Sequence, residues 1–244
     1  MTDLWYDETG EGSPVVLLHE GVVDSRIWEP VVPLLAERHR VVRYDQRGFG
    51  RSPLQDGPYS VVDDLVGVLD GAGIADASLV GCSRGGNIAM ATALARPERV
   101  SHLILVGSGL PGHEWSVDWT PEQIARWEAA EAAEDYEAMA ELDMEVWAPM
   151  GADDDLRAMF VDNAVGSNSE HATTDEPVAH RVSGIRAPTL VITCERDVSA
   201  INEIGALLAS EIPGARAAVI EEADHMVPWR TPEELSHLIS DFLD

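Results

Sequence analysis

The stretch ASLVGCSRGGNIAMATAL, Ala77 to Leu94, leaves this chain few ways to fold. Ala77 to Val80 is a short apolar run of the buried-strand kind, and Asn87 to Leu94 is small and favours a helix. Between them stands Gly81-Cys82-Ser83-Arg84-Gly85, a G-x-S-x-G pentapeptide. Strand, pentapeptide and helix in that order make a turn so sharp that the residues two before and two after the serine approach each other, and both are glycine here. Cys82 has Val80 and Arg84 at the equivalent positions, so Ser83 is the better-placed nucleophile although a thiol is intrinsically more reactive. A helix starting beneath Ser83 sets backbone N–H groups where negative charge on oxygen would develop. The pentapeptide alone also fits an ordinary glycine-rich strand–helix turn, so the decision rests on what the rest of the chain supplies.

Apolar runs recur on both sides of this stretch. Leu4 to Tyr6 is expected to be a short first strand, with Glu8 to Pro14 as its turn. Val15 to Leu18, Val41 to Tyr44, Leu103 to Val106, Pro188 to Thr193 and Ala217 to Ile220 read as further strands. Helical patterns separate them: Val31 to Ala36, a segment opened by Ser60 with Asp63 at its third position, and a last helix opened by Thr231-Pro232-Glu233-Glu234 with Leu235, Leu238, Ile239 and Phe242 on one face. Strands that are uniformly apolar and alternate with helices predict a mostly parallel α/β sheet covered on both faces. Ligands bind such sheets at the carboxyl ends of the strands, where His19, Asp45, Ser83 and Ser108 all fall.

From Gly112 to Ser183 the strand pattern stops. This region is rich in Glu, Ala and Met, reads as helix from Pro121 to Trp147, and contains Trp115, Trp119, Trp127 and Trp147. Residues 112–183 are therefore expected to form a helical cap inserted into a core made of residues 1–111 and 184–244. The tryptophans either line an apolar pocket beneath the cap or join its helices to one another. Asp153-Asp154-Asp155 reads as a solvated loop.

The 244 residues suit one domain, and their 44 acidic and 16 basic side chains leave a net charge of −28. Every basic residue is arginine. Such a field repels nucleic acid and anionic membranes. Cys82 and Cys194 do not suggest a disulfide framework, and metal-ligand spacings are missing. The N-terminus lacks a leader pattern and no run is long enough for a bilayer span, so a cytoplasmic protein that uses no cofactor is expected.

Behind separate strands, in chain order, come Ser83, Asp197 and His225. With LLHEG, RYDQRGFGRS, LVGCSRGGNIA, PTLVITCERD and EADHMVPWRTPEEL, the chain resembles the α/β-hydrolase family along nearly its whole length. DSRIWEP before RYDQRGFGRS also resembles the enol-lactonase and small-ester-hydrolase branch. The resemblance implies Ser83 as nucleophile, His225 as general base, Asp197 as the acid that orients it, and the N–H groups of Gly21 and Arg84 as oxyanion donors. It implies a small ester or lactone substrate; the substrates of the enol-lactonase branch are anionic, but the strongly acidic chain predicts a preference for neutral, compact, partly apolar acyl groups. Glu20, Val22, Trp28, Trp115, Trp119, Trp147, Val198 and Met226 are the expected pocket residues. Asp45 and Arg47 are expected to shape a turn, and His19 to brace the oxyanion loop. His39, His102, His113, His171, His180 and His237 match no motif. The family pattern has Gly where Glu20 and Asp224 stand; Glu20 is expected to face solvent or to pair with an arginine such as Arg26. The rival readings are an idle ligand-binding protein on the same fold and a perhydrolase or haloperoxidase-like activity on the same triad.

Overall fold

In a computed structural model the described residues are 3–55, 57–117, 119–169 and 173–244. Seven strands form one sheet: β1 (Tyr6–Thr9), β2 (Ser13–Leu18), β3 (His39–Tyr44), β4 (Ala77–Cys82), β5 (Val100–Val106), β6 (Thr189–Cys194) and β7 (Arg216–Ile220). Their order is β1-β3-β2-β4-β5-β6-β7. β1 runs antiparallel to β3, and every other pairing is parallel. The first strand therefore begins at Tyr6 rather than Leu4 and takes in Glu8 and Thr9, which the sequence reading assigned to the turn. It sits on the sheet edge, where one face and one side meet water and polar residues are tolerated.

The helices are α1 (Val32–Leu35), α2 (Val61–Gly71), α3 (Arg84–Ala95), α4 (Pro121–Ala133), α5 (Tyr136–Trp147), α6 (Asp154–Ser167), α7 (Ser199–Glu211), α8 (Val227–Arg230) and α9 (Pro232–Leu243). Successive residues of a strand point to opposite faces, and the two cores follow from that. Val15 and Leu17 of β2, with Val80 of β4, join Leu35, Leu235 and Ile239 on one face. Val16 and Leu18, with Leu79, join Leu65, Leu69, Ala89 and Leu208 on the other. All six residues of β4 are buried because it lies in mid-sheet with helices above and below.

Ser60 caps α2 as expected, its Oγ accepting from the Asp63 N–H at 3.0 Å. Thr231 does not cap α9; its hydroxyl turns back to the Val227 carbonyl instead. The helical reading of Pro121 to Trp147 breaks in two at Glu134, which adopts φ 51°. The aspartate triplet is a helix start rather than a loop: Asp153 accepts from the Leu156 N–H at 2.8 Å, and Asp154 and Asp155 fill the first turn of α6. Carboxylates there oppose the positive end of the helix dipole, so a run that looks merely solvated acts as a cap.

The turn after β3 is tied by Asp45, which is fully buried. It accepts from the Ser25 N–H and hydroxyl at 3.1 and 2.5 Å and from the Arg51 N–H and Nε at 2.9 Å each. Arg47 clamps the same turn to α2 through Asp64. Removing a buried charge from such a network leaves its donors without partners, so Asp45→Ala is expected to lower the unfolding free energy in urea by about 3–5 kcal/mol. A loss below about 1 kcal/mol would contradict this assignment.

Candidate active site

Ser83 stands between β4 and α3 with φ 49° and ψ −114°. Its N–H donates to the Val106 carbonyl at 3.0 Å, and its carbonyl accepts from the Asn87 N–H at 3.2 Å. The turn closes only because its flanks are glycine. A Cβ on Gly81 would lie 2.5 Å from the Gly85 backbone, and one on Gly85 would lie 2.2 Å from the Leu18 carbonyl oxygen. Neither contact can be relieved by a side-chain rotation. Local sequence thus holds a non-glycine residue at positive φ, a conformation that costs free energy and persists where neighbours enforce it.

Asp197 follows β6, and His225 follows β7. His225 Nδ1 lies 2.8 Å from Asp197 Oδ2 and 3.0 Å from Oδ1. Oδ1 also accepts from the Val198 N–H at 2.7 Å, so the carboxylate is held from two sides. Burial by itself pulls the His225 imidazolium down, but the charge and hydrogen bond of Asp197, aided by Glu20 and Asp224, leave its pKa above the usual histidine value. Gly107, at the end of β5, makes room for this pair: with φ 49°, it would carry a Cβ 3.0 Å from Asp197 Oδ2 and 3.5 Å from His225 Nδ1. Asp224 faces away from the imidazole. Its carboxylate pairs with Arg230 at 2.9 and 3.0 Å and accepts from the Met150 and Met226 N–H groups.

Ser83, Arg84 and His225 bound one cavity of about 290 Å³, with Glu20, Gly21 and Val22 from the loop after β2. Gly21 packs against Arg84, the Cβ it lacks falling 3.3 Å from Arg84 Cδ. Behind that loop His19 accepts the Gln46 N–H at Nε2 (2.9 Å) and lies 2.6 Å from the Glu20 carbonyl through Nδ1. Nε2 is therefore the acceptor and Nδ1 the donor. Burial lowers the His19 pKa and favours that neutral form. This is a bracing role, as the sequence implies.

Of the expected pocket residues, Glu20, Val22, Trp115 and Trp147 line the cavity. Trp28 and Met226 are instead fully buried in the core, Trp119 packs edge-on against Trp127 at 5.0 Å, and Val198 serves Asp197 with its backbone. Trp147 contacts the His225 ring, with centroids 4.6 Å apart and planes at 41°. One turn earlier Asp143, also buried, accepts a hydrogen bond from Trp147, and burial pushes its carboxyl up to about 7. Sequence reading missed Asp143, although its i, i+4 spacing to Trp147 is the available signal. It also left Asn87, Leu110, His113 and Ile201 out of the cavity wall, where they belong. His171 lies outside the described residues.

Glu20 departs furthest from expectation. It neither faces solvent nor meets Arg26, which is held by Asp24 and Asp162. The carboxyl is wholly buried, and burial pushes its pKa up to about 7. Glu20 sits in the strand-end loop between braced His19 and Gly21, and its side chain points inward toward Cys82, in surroundings completed by Asp197 and His225 from distant parts of the chain. The Cys82 thiol is itself pushed well up by burial and is not a competing nucleophile. Among the described residues, no group of three His, Cys, Asp or Glu side chains is arranged to hold a metal ion, and no helix is long and apolar enough to cross a membrane.

Residues 15–238 match the sequence pattern of the α/β hydrolase family. The chain is an α/β hydrolase. It is 30% identical to the protein named "Putative carbamate hydrolase RutD" of Azorhizobium caulinodans, covering 98% of this chain and 94% of that one. It is also 30% identical to the 2-hydroxy-6-oxononadienedioate/2-hydroxy-6-oxononatrienedioate hydrolase of Burkholderia vietnamiensis, with 98% and 90% covered. Among solved structures, the enol-lactonase from Burkholderia xenovorans superimposes with a TM-score of 0.81 at 28% identity, covering 98% and 96% of the two chains. These relatives are hydrolases; the sequence match to the first two and the fold match to the enol-lactonase each extend over nearly the full length of this α/β hydrolase.

The buried carboxyl of Glu20 makes stability depend on pH. Its folded pKa of about 7 lies above the ordinary 4.5, so across that window the folded state keeps a proton that the unfolded state has lost, and stability falls as pH rises. Glu20→Gln is therefore expected to stabilise the protein at pH 8 by up to about 3 kcal/mol relative to pH 4, read from urea unfolding. An equal effect of the substitution at the two pH values would contradict the buried, proton-holding carboxyl.

Proposed function

We propose that this α/β hydrolase is a cofactor-free serine hydrolase that cleaves a small carboxylic ester or lactone through Ser83, His225 and Asp197. The observation that carries the reading is the buried Asp197–His225 pair opening onto the same cavity as Ser83. In the first step Ser83 Oγ bonds to the carbonyl carbon while its proton passes to His225 Nε2, and the carbonyl π pair moves onto oxygen. The backbone N–H groups of Gly21 and Arg84 are the oxyanion donors in this reading. Collapse of the intermediate breaks the bond to the leaving oxygen, which takes the proton from His225. Water then repeats the sequence on the acyl-enzyme, releasing the acid and free Ser83. Asp197 keeps the Nδ1–H in place and stabilises the imidazolium formed in each half.

The helices of residues 112–183 act in this reading as a cap whose Trp115 and Trp147 cover the reacting centre. A neutral, compact acyl group suits the cavity. Arg26 is ion-paired away from it, and the Arg84 guanidinium is turned to Gln46 Oε1 and the Tyr59 hydroxyl at 2.9 and 3.0 Å. That leaves the acidic chain little to offer a substrate carboxylate.

Ser83→Ala is expected to abolish turnover of p-nitrophenyl acetate and labelling by a fluorophosphonate probe. Asp197→Asn is expected to lower kcat by about 10³–10⁴-fold, because the wrong imidazole tautomer then faces Ser83. Wild-type turnover by the Ser83→Ala variant would sink the proposal. Failure of the unmodified protein to take the probe would favour an idle binding protein instead. Across esters and lactones matched for size, neutral substrates are expected to give the higher kcat/KM, and faster cleavage of carboxylate-bearing ones would reverse the specificity assignment.

A further inference from the structure

The turn from Asp45 to Ser52 does more than tie itself to the sheet. While Asp45 and Arg47 hold it in place, Gln46 reaches out of it, fully buried, between two other segments. Its Nε2 donates to the His19 carbonyl at 2.5 Å, and its Oε1 accepts from Arg84 Nε at 2.9 Å. Phe49 of the same turn touches the same two residues. Its ring meets the His19 imidazole edge-on at 5.3 Å, and the Arg84 guanidinium carbon lies 5.7 Å from its centroid. The carboxamide of Gln46 can sit here in only one orientation. A backbone carbonyl only accepts and an arginine Nε–H only donates, so the amide nitrogen must face His19 and the amide oxygen must face Arg84.

Those two neighbours belong to the two segments that carry the Gly21 and Arg84 N–H groups. His19 opens the loop that contains Gly21, and Arg84 heads α3 directly after Ser83. The pairing of β2 with β4 ends at Leu18 and Gly81, so beyond it the sheet no longer fixes the spacing of the two segments. Gly85, close against the Leu18 carbonyl, limits how near they come. Gln46, bonded at both ends, limits how far they part. The Arg84 stem also lies on Gly21, whose missing Cβ would fall 3.3 Å from Arg84 Cδ and 3.5 Å from its Cβ. The far end of Arg84 is held by the Tyr59 hydroxyl at 3.0 Å. Any change in the Gln46 contacts is therefore felt where the two N–H groups stand.

We propose that Gln46 is a positioning residue that bridges the His19 carbonyl and the Arg84 side chain and so sets the separation of the Gly21 and Arg84 N–H groups. The inference rests on the serine-hydrolase reading, in which those groups receive the oxyanion. Gln46 itself does not touch the substrate. Donors to an oxyanion act only when placed within hydrogen-bond distance of the charged oxygen, and a parting of the two segments lengthens one bond or both. A neutral carbonyl loses little by this, whereas the charged oxygen of the tetrahedral intermediate loses much, so the effect falls on the rate rather than on ground-state binding. Cutting the bridge at either end frees it completely, so a second cut adds nothing.

The test compares the intact protein with Gln46→Met, Arg84→Met and the double variant. Methionine keeps the stem of either side chain and makes neither bond, and the Gln46 backbone N–H stays on His19 Nε2. Active sites are counted by fluorophosphonate labelling, so an unfolded fraction does not enter the rates. Each single variant is expected to lower kcat/KM for p-nitrophenyl acetate by about 10- to 100-fold per active site. The double variant is expected to fall no more than about twofold below the weaker single one. Trifluoroacetophenone takes Ser83 Oγ onto its carbonyl carbon while the Ser83 proton passes to His225 and the π pair moves onto oxygen. Its affinity is expected to drop by the same factor as kcat/KM. Acetophenone, close to it in size but forming no adduct, is expected to bind within about twofold of its affinity for the intact protein. Full kcat/KM in either single variant, equal weakening of the two ketones, or losses that multiply in the double variant would each overturn the inference. If Gln46→Met does not fold, Arg84→Met decides on the rate and the ketone pair. Failure of the underlying reading is seen separately, as activity persisting in Ser83→Ala or as an intact protein that binds both ketones equally well.

Discussion

Everything at the carboxyl edge of the sheet depends on one steric constraint, the closeness of β2, β4 and α3 around Ser83. Gly85 passes so near the Leu18 carbonyl, and Gly81 so near Gly85, that no side chain fits at either position. That closeness puts the first turn of α3 beside the loop holding Glu20 and Gly21 and so creates the cavity. It also fixes Ser83 in a backbone conformation that an isolated peptide would abandon. The buried faces of β4, packed on both sides, supply the rigidity that keeps the strained residue in place.

Around this turn the polar groups are arranged by burial as much as by contact. The same buried setting holds neighbouring acids by different contacts. Asp197 has two donors, the Val198 N–H and the His225 imidazole. Glu20 has none of ordinary geometry, and its proton is held to about pH 7. Asp224, adjacent in sequence to His225, is matched to Arg230 and two backbone N–H groups and acts on the imidazole through its charge alone. Three acidic residues within one region thus have three different environments, and hydrogen-bond donors rather than proximity separate them.

The helical region reaches the cavity chiefly through α5. Trp147 lies on the His225 ring, and its other attachment is buried Asp143 on the same helix face. An indole fixed in this way limits the motion of the imidazole and shields it from solvent. The remaining aromatic residues of the region divide their work: Trp115 borders the cavity and packs against Trp147 at 6.3 Å, whereas Trp119 and Trp127 join each other.

The sequence by itself determined the alternating α/β order, the Ser83 turn and the chain order of Ser83, Asp197 and His225. Those features depend on local periodicity, on turn chemistry and on residue types that have few other uses at strand ends. It could not say where the side chains of Glu20, Trp28, Trp119 and Met226 point, nor that Asp153 begins a helix, because those outcomes are set by packing between segments far apart in the chain. A glutamate in a loop reads as a solvated charge until its neighbours are known. Only the tertiary structure, by closing β4, β6 and the loop after β7 around position 20, turned that residue inward and gave its proton a reason to stay.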